Sequence, residues 1–225
     1  MRKIYHGSVK MIEKPRCGAG RRDNDYGFGF YCTEDIELAK EWAASDERGG
    51  FVNCYEVNEE GMRFLDLQQS PEKNTDVDRE RRVLQWMALL LENRAIRLGS
   101  PVERRGKEYI CSHFLMDISD YDYLIGYRAD DSFFSYARAF LSNTLTVGQL
   151  SAAMRLGDLG LQYVIRSPRM FDRIHFLEAV SVDGGIYFPK RMQRDWTARQ
   201  KFRRMLEEDA EGGRYLSDLM RENKL

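Results

Sequence analysis

Two short runs near the start of the chain bring together residue types that can grip a flat, polar molecule. The first is Tyr5-His6-Gly7-Ser8, where a short strand over Ile4 to His6 enters a turn. A histidine at a strand end offers a ring nitrogen for hydrogen bonding, and a following glycine lets another group reach the backbone N–H and C=O. The second run, Asp25-Tyr26-Gly27-Phe28-Gly29-Phe30-Tyr31-Cys32-Thr33, leads into a helix. Glycine weakens a strand unless something must come close, so Gly27 and Gly29 beside Tyr31 point to a pocket wall. Taken singly, His6 reads equally well as a half-buried structural histidine and Tyr31 as a core aromatic.

In that order and spacing, the two runs resemble the first two NAD⁺-binding motifs of the diphtheria-toxin and poly(ADP-ribose) polymerase branch of the ADP-ribosyltransferases. In that branch a strand ends in His-Gly-Ser or His-Gly-Thr, and a Gly-x-Gly-[Phe/Ile]-Tyr strand precedes a helix. The resemblance implies that His6 bonds the adenosine ribose, that Gly7 pairs its backbone with the nicotinamide carboxamide and that Ser8 adds a hydroxyl bond. It implies further that Tyr31 stacks on the nicotinamide ring, with Gly29 leaving room beside it. The third motif of such a fold puts a glutamate at the start of a late strand, where its carboxylate holds the ribose and favours the cation-like transition state. Here Gly160-Leu161-Gln162-Tyr163-Val164-Ile165 stands in that place, so Gln162 takes the position. Glutamine can orient the ribose, but it brings no negative charge. The wider pattern, including Gly126-Tyr127-Arg128-Ala129-Asp130-Asp131-Ser132, resembles a bacterial domain-of-unknown-function family, number 3990, regarded as transferase-like; the likeness covers about residues 3 to 182.

Several other residues carry two readings. Asp130 and Asp131 either cap a helix near Ser132 or supply the charge that Gln162 lacks. Arg16, Arg21 and Arg22, in the polar loop between the two motifs, are either solvated or grip the pyrophosphate. Gln162 is alternatively a polar strand residue satisfied by neighbouring backbone. His113 and His175 show no partner pattern and read as structural.

The elements that must position these residues follow from periodicity. Thr33 is placed to cap a helix whose Ile36, Ala39 and Ala43 share a face, with Glu34, Asp35 and Glu37 in its first turn. Phe51 to Val57 and Met62 to Leu67 read as paired strands around Asn58-Glu59-Glu60-Gly61. Asp78 to Leu98 carries the clearest helical stripe, ended by Gly99 and Pro101. Tyr121 to Tyr127, Leu161 to Ile165 and Ile174 to Val182 have strand composition, and Phe133 to Leu141 and Val147 to Leu156 look helical. From about Lys190 the chain becomes a long amphipathic helix or helix pair, with Trp196, Phe202, Met205 and Leu206 as buried contacts and a break at Gly212-Gly213.

Composition narrows the class. With 225 residues and 43% hydrophobic content the chain can bury one substantial core. The 35 basic and 36 acidic residues nearly cancel, so no global field recruits nucleic acid or anionic membrane. Cys17, Cys32, Cys54 and Cys111 lack CxxC or zinc-like spacing, which predicts reduced, buried thiols and no metal site. No apolar run reaches spanning length, and the start has no signal-peptide h-region, so the expected location is cytoplasmic. The expected fold is α+β, a split antiparallel β-core with flanking helices over residues 1–188 and a helical C-terminal extension over 189–225. The expected activity is ADP-ribosyl transfer from NAD⁺, as co-substrate, to an unidentified macromolecule or metabolite. A toxin role opposed by a cognate antitoxin or inhibitor protein rests on the family likeness alone. The alternatives are an NAD⁺ or ADP-ribose binding module, and an NAD⁺ glycohydrolase.

Overall fold

Strand alternation divides this protein into layers. The computed structural model describes residues 1–68, 76–129, 133–156, 160–207 and 213–222. Strands β1 (Arg2–Ser8), β3 (Gly50–Val57) and β7 (Ile174–Val182) form one antiparallel sheet in the order β1-β3-β7. Strands β2 (Phe30–Cys32), β4 (Phe64–Asp66), β5 (Tyr123–Tyr127) and β6 (Leu161–Ile165) form a second, in the order β2-β6-β5-β4, in which only β4 and β5 run parallel. Ile4, Tyr55 and Val57 of the first sheet meet Tyr123, Ile125, Tyr163 and Ile165 of the second, so one buried cluster lies between the sheets. The intervening Leu124 and Val164 point to the opposite face.

That opposite face carries the largest core. Helices α2 (Asp76–Asn93), α3 (Pro101–Phe114), α4 (Phe133–Leu141) and α5 (Val147–Ala153) lay Trp86, Leu90, Leu91, Ile110, Phe140 and Leu150 against it. Each such side chain, fully buried, contributes on the order of 1.5–3 kcal/mol. On the outer face of the first sheet, α1 (Ile36–Ala43) packs Ala39 and Ala43 against Val52 and Val182. The short α6 (Pro168–Phe171) connects β6 to β7, and α7 (Gly184–Glu207) and α8 (Leu216–Glu222) finish the chain. The class is α+β with antiparallel and mixed sheets.

Several expectations need correction. The segments read as a hairpin are not paired: β3 lies between β1 and β7, while β4 crosses to the other sheet and runs beside β5. The helix N-cap is Asp35, whose carboxylate accepts from the N–H of Glu37 and Leu38; Thr33 is instead buried and bridged to Tyr5. Helix α2 stops at Asn93, and Gly99 to Pro101 begin a new helix rather than end the old one. Ser100 and Glu103 form a reciprocal capping box there, a pattern present in the sequence as Ser-x-x-Glu. Cys17 is exposed and Cys111 half-buried, although all four cysteines are unpaired as expected.

Helix α7 starts ahead of the 188/189 boundary drawn from sequence, and Arg194 grips Glu41 through two bonds of 2.8 Å, tying the helix to α1. Ala198 and Phe202 face the protein. Trp196 is 57% exposed, and Leu206 is exposed too, against expectation. Two residues before Ala198 means about 200° around the helix, which turns Trp196 away. Gly212 falls outside the described residues. Among the described residues no helix is long and apolar enough to cross a membrane.

Candidate functional site at the sheet junction

The two sheets touch at one edge and then part. Tyr5 and Thr33 exchange N–H···O=C bonds of 2.7 and 2.9 Å, the one bridge between β1 and the β2 end among the described residues. In a strand, backbone groups of alternate residues point the same way, so the N–H and C=O of Gly7 face away from β3, as those of Tyr5 do. They look into the gap that opens where β2 turns aside. A cleft of about 700 Å³ fills that gap, within the usual range for small-molecule sites. His6, Gly7 and Ser8 from β1, Tyr31 from β2, Trp42 from α1 and Gln162 from β6 line it, with Arg16, Arg21 and Asp25 from the long loop and Arg94 and Arg128 from the far side.

Local hydrogen bonds hold this wall in shape. His6 Nδ1 lies 2.7 Å from the carbonyl of Tyr31, which requires Nδ1 to donate and leaves Nε2 as the acceptor of the neutral ring. Burial lowers the His6 pKa, keeping that neutral form. The Tyr31 hydroxyl donates to the Gly27 carbonyl at 2.7 Å and accepts from the Tyr26 N–H at 3.1 Å, so the ring is pinned as a fixed platform. Buried Asn53 donates to the carbonyl of His6 and to Ser8 Oγ and accepts from the N–H of Ile12, folding the chain back after β1. The Ser8 hydroxyl itself donates to the Lys10 carbonyl at 2.6 Å.

The glycines have packing reasons of their own. A Cβ on Gly7 would run into the Ala39 carbonyl of α1, so this glycine lets the helix lie against β1 while its peptide edge stays open to the cleft. Gly29 lines the cleft, but the space its missing Cβ leaves is taken by Val164 Cγ1 at 2.5 Å, not by room for a ring.

The floor of the cleft holds a buried carboxylate. Asp25, 4% exposed, accepts from Arg94 Nη1 at 3.0 Å on Oδ1, and from the Ala129 N–H at 2.9 Å and Gln162 Nε2 at 2.7 Å on Oδ2. Gln162 Nε2 also donates to the Tyr127 carbonyl at 3.1 Å. Both of those partners are acceptors, which fixes the amide orientation and leaves Gln162 Oε1 with no donor among the described residues. Burial pushes the Asp25 carboxyl above its ordinary range, opposed by the Ala129 N–H, Arg94 and Gln162.

The sequence reading placed His6, Gly7, Ser8, Arg21, Gly29, Tyr31 and Gln162 at a ligand site, and all of them line this one cleft. Arg21 does so while paired to Asp23 at 2.6 Å. Arg22 is not among the residues that line the cleft; its guanidinium lies over the Phe28 ring, 4.5 Å from the centroid. Asp130 and Asp131 fall outside the described residues. Asp25, Trp42, Arg94 and Arg128 were missed. Asp25 opened the second motif, but its partners are distant in the chain, and nothing local marks it as buried. The Trp42 indole N–H is buried in the wall without an acceptor among the described residues, and the Arg128 guanidinium sits 4.3 Å from the Trp42 ring centroid. Among the described residues no three His, Cys, Asp or Glu side chains cluster to hold a metal ion.

Residues 2–176 match the family described as "Protein of unknown function (DUF3990)", and the chain belongs to that family. The match spans both sheets as far as the first part of β7 and every wall of the cleft, and stops before α7. No curated protein and no solved structure gives a significant match.

Proposed function

We propose that this cleft binds NAD⁺, breaks its nicotinamide–ribose bond and passes ADP-ribose to an acceptor, on the fold plan of the ADP-ribosyltransferases that its motifs resemble. The observation that carries the reading is the convergence of the Gly7 peptide edge turned away from β3, the pinned Tyr31 ring and Gln162 on one cleft of about 700 Å³. The Gly7 N–H and C=O match the carboxamide of nicotinamide, which presents one acceptor and one donor side. Tyr31 offers its face to the pyridinium ring. His6 Nε2 accepts from a ribose hydroxyl, and Arg16 and Arg21 lie where a diphosphate gains two cations.

A second reading, a module that holds NAD⁺ or ADP-ribose without cleaving it, is favoured by the neutral Gln162 where a carboxylate is usual in the transferases. One assay separates the readings: pure protein with labelled NAD⁺, alone and with cell lysate. Labelled acceptor supports transfer, free ADP-ribose indicates hydrolysis, and intact NAD⁺ with a raised melting temperature indicates binding alone. At ten times its Kd, NAD⁺ is expected to add about 1.4 kcal/mol of stability. His6→Ala is expected to remove most of that gain. No thermal shift at millimolar NAD⁺ sinks the cleft as an NAD⁺ site.

A further inference from the structure

Transfer from NAD⁺ builds positive charge on the sugar. The bond from C1′ to the pyridinium nitrogen breaks with both electrons going to nitrogen, and neutral nicotinamide leaves. The positive charge passes to C1′ and the ring oxygen. A nucleophilic atom of the acceptor then bonds C1′ and releases its proton to solvent. An amide facing that centre stabilises it less than an anion does.

We propose that Asp25 and Gln162 act as one anionic unit, with Asp25 supplying the negative charge and Gln162 Oε1 making the contact with the ribose. This rests on the NAD⁺ reading above and goes beyond it, because neither the motifs nor the position of Gln162 assigns Asp25 any role. The geometry has three parts. Gln162 Nε2 donates to Asp25 Oδ2 at 2.7 Å, so the carboxylate holds the amide with its oxygen left open. A carboxylate hydrogen-bonded to an amide N–H polarises that amide and strengthens its carbonyl as an acceptor, an effect enlarged where water is excluded. Arg94 sits on the other oxygen, Oδ1, and favours the ionised form without displacing the amide. In this arrangement Asp25 is a positioning residue that acts through Gln162.

The pairing also sets what a glutamate at 162 would do. The oxygen that replaces Nε2 would face both Asp25 Oδ2 and the Tyr127 carbonyl, where Nε2 now donates to each. Two carboxylates so close cannot both ionise comfortably.

The test is a charge swap, read by the initial rate of nicotinamide release from NAD⁺ in the full chain. Folding of each variant is checked by its melting curve. Asp25→Asn is expected to lower kcat about 10²-fold with KM for NAD⁺ changed little, the size typical of losing a transition-state electrostatic contact. Gln162→Glu alone is expected to be slower than wild type. The double variant Asp25→Asn/Gln162→Glu, which moves one charge within the pair, is expected to recover about 10-fold over Asp25→Asn. Wild-type kcat in Asp25→Asn, or no gain in the double variant, overturns the proposal. Should Asp25→Asn fail to fold, a Gln162→Glu protein faster than wild type overturns it independently. When wild type releases nicotinamide and the variants do not differ, this inference alone fails. A wild type that leaves NAD⁺ uncleaved removes the transferase reading and the inference together.

Discussion

Asp25 and Glu103 are both buried carboxylates, and each accepts three hydrogen bonds from described residues, one of them from an arginine. Their surroundings differ in kind. Glu103 takes the N–H of Gly99 and Ser100, at most four residues away, and closes the capping box at the start of α3. Asp25 takes its bonds from groups 69, 104 and 137 residues distant. Burial works against the ionised form at both sites. At Glu103 the helix-end N–H groups and Arg138 outweigh it and hold the pKa below its ordinary value, whereas at Asp25 burial wins and the pKa is raised. A carboxylate bonded by its own helix end is thus a stabilising cap. One assembled by the tertiary fold in the wall of a cleft keeps its burial penalty, because its partners reach it from distant segments and offset burial only in part.

The comparison breaks or sharpens most clearly at the arginines. The Arg94 side chain is 18% exposed against 5% for the Asp25 side chain, so Arg94→Met is expected to leave an uncompensated buried charge and cost about 3–5 kcal/mol in urea unfolding. A loss under about 1 kcal/mol would mean that Asp25 readily takes up a proton or water, and that the pair matters little. Glu103→Gln keeps the side-chain shape but weakens charge-assisted bonds to two helix-end N–H groups. Its expected cost is about 1.5–3 kcal/mol. Arg138 is half exposed where it meets Glu103, so Arg138→Met is expected to cost no more than about 1 kcal/mol. Equal losses for Arg94→Met and Arg138→Met would erase the distinction between cap and cleft.

The smallest effect is also the sharpest in sign. A raised folded-state pKa means that the contribution of Asp25 is fully present below its ordinary 3.8 and is lost as pH rises through the raised value. The lowered value at Glu103 works the other way, with stability present above its ordinary 4.5 and lost as pH falls through the lowered one. The melting temperature of Asp25→Asn relative to wild type is therefore expected to improve as pH rises, while that of Glu103→Gln worsens. Parallel trends would refute the opposite shifts.

Much of the candidate site was legible because its elements announce themselves locally. The strand ending at His6-Gly7-Ser8, the β2 strand with Tyr31 and the late strand with Gln162 were placed from composition and from their likeness to known motifs. Helix α1 was visible in its apolar face, and α3 could have been found from Ser100 and Glu103 had Gly99 and Pro101 not been read as an ending. The β3–β4 hairpin failed for a physical reason. Two strands near each other in sequence pair only if no other edge offers a better buried match, and here β3 lies between β1 and β7.

The sequence by itself determined the short-range features of this protein: helix caps, apolar stripes and the residue types that line the cleft. These depend on periodicity and on bonds spanning a few residues. Only the tertiary structure decided which sheet each strand joins, that Trp196 faces outward and that Gly29 makes room for Val164. It alone brought Asp25 between Arg94, Ala129 and Gln162, and so fixed the face that the Gln162 amide turns to the cleft. A carboxylate's charge state and an amide's orientation are set by the desolvated groups that surround them, and in this chain those groups come from segments far apart in the sequence.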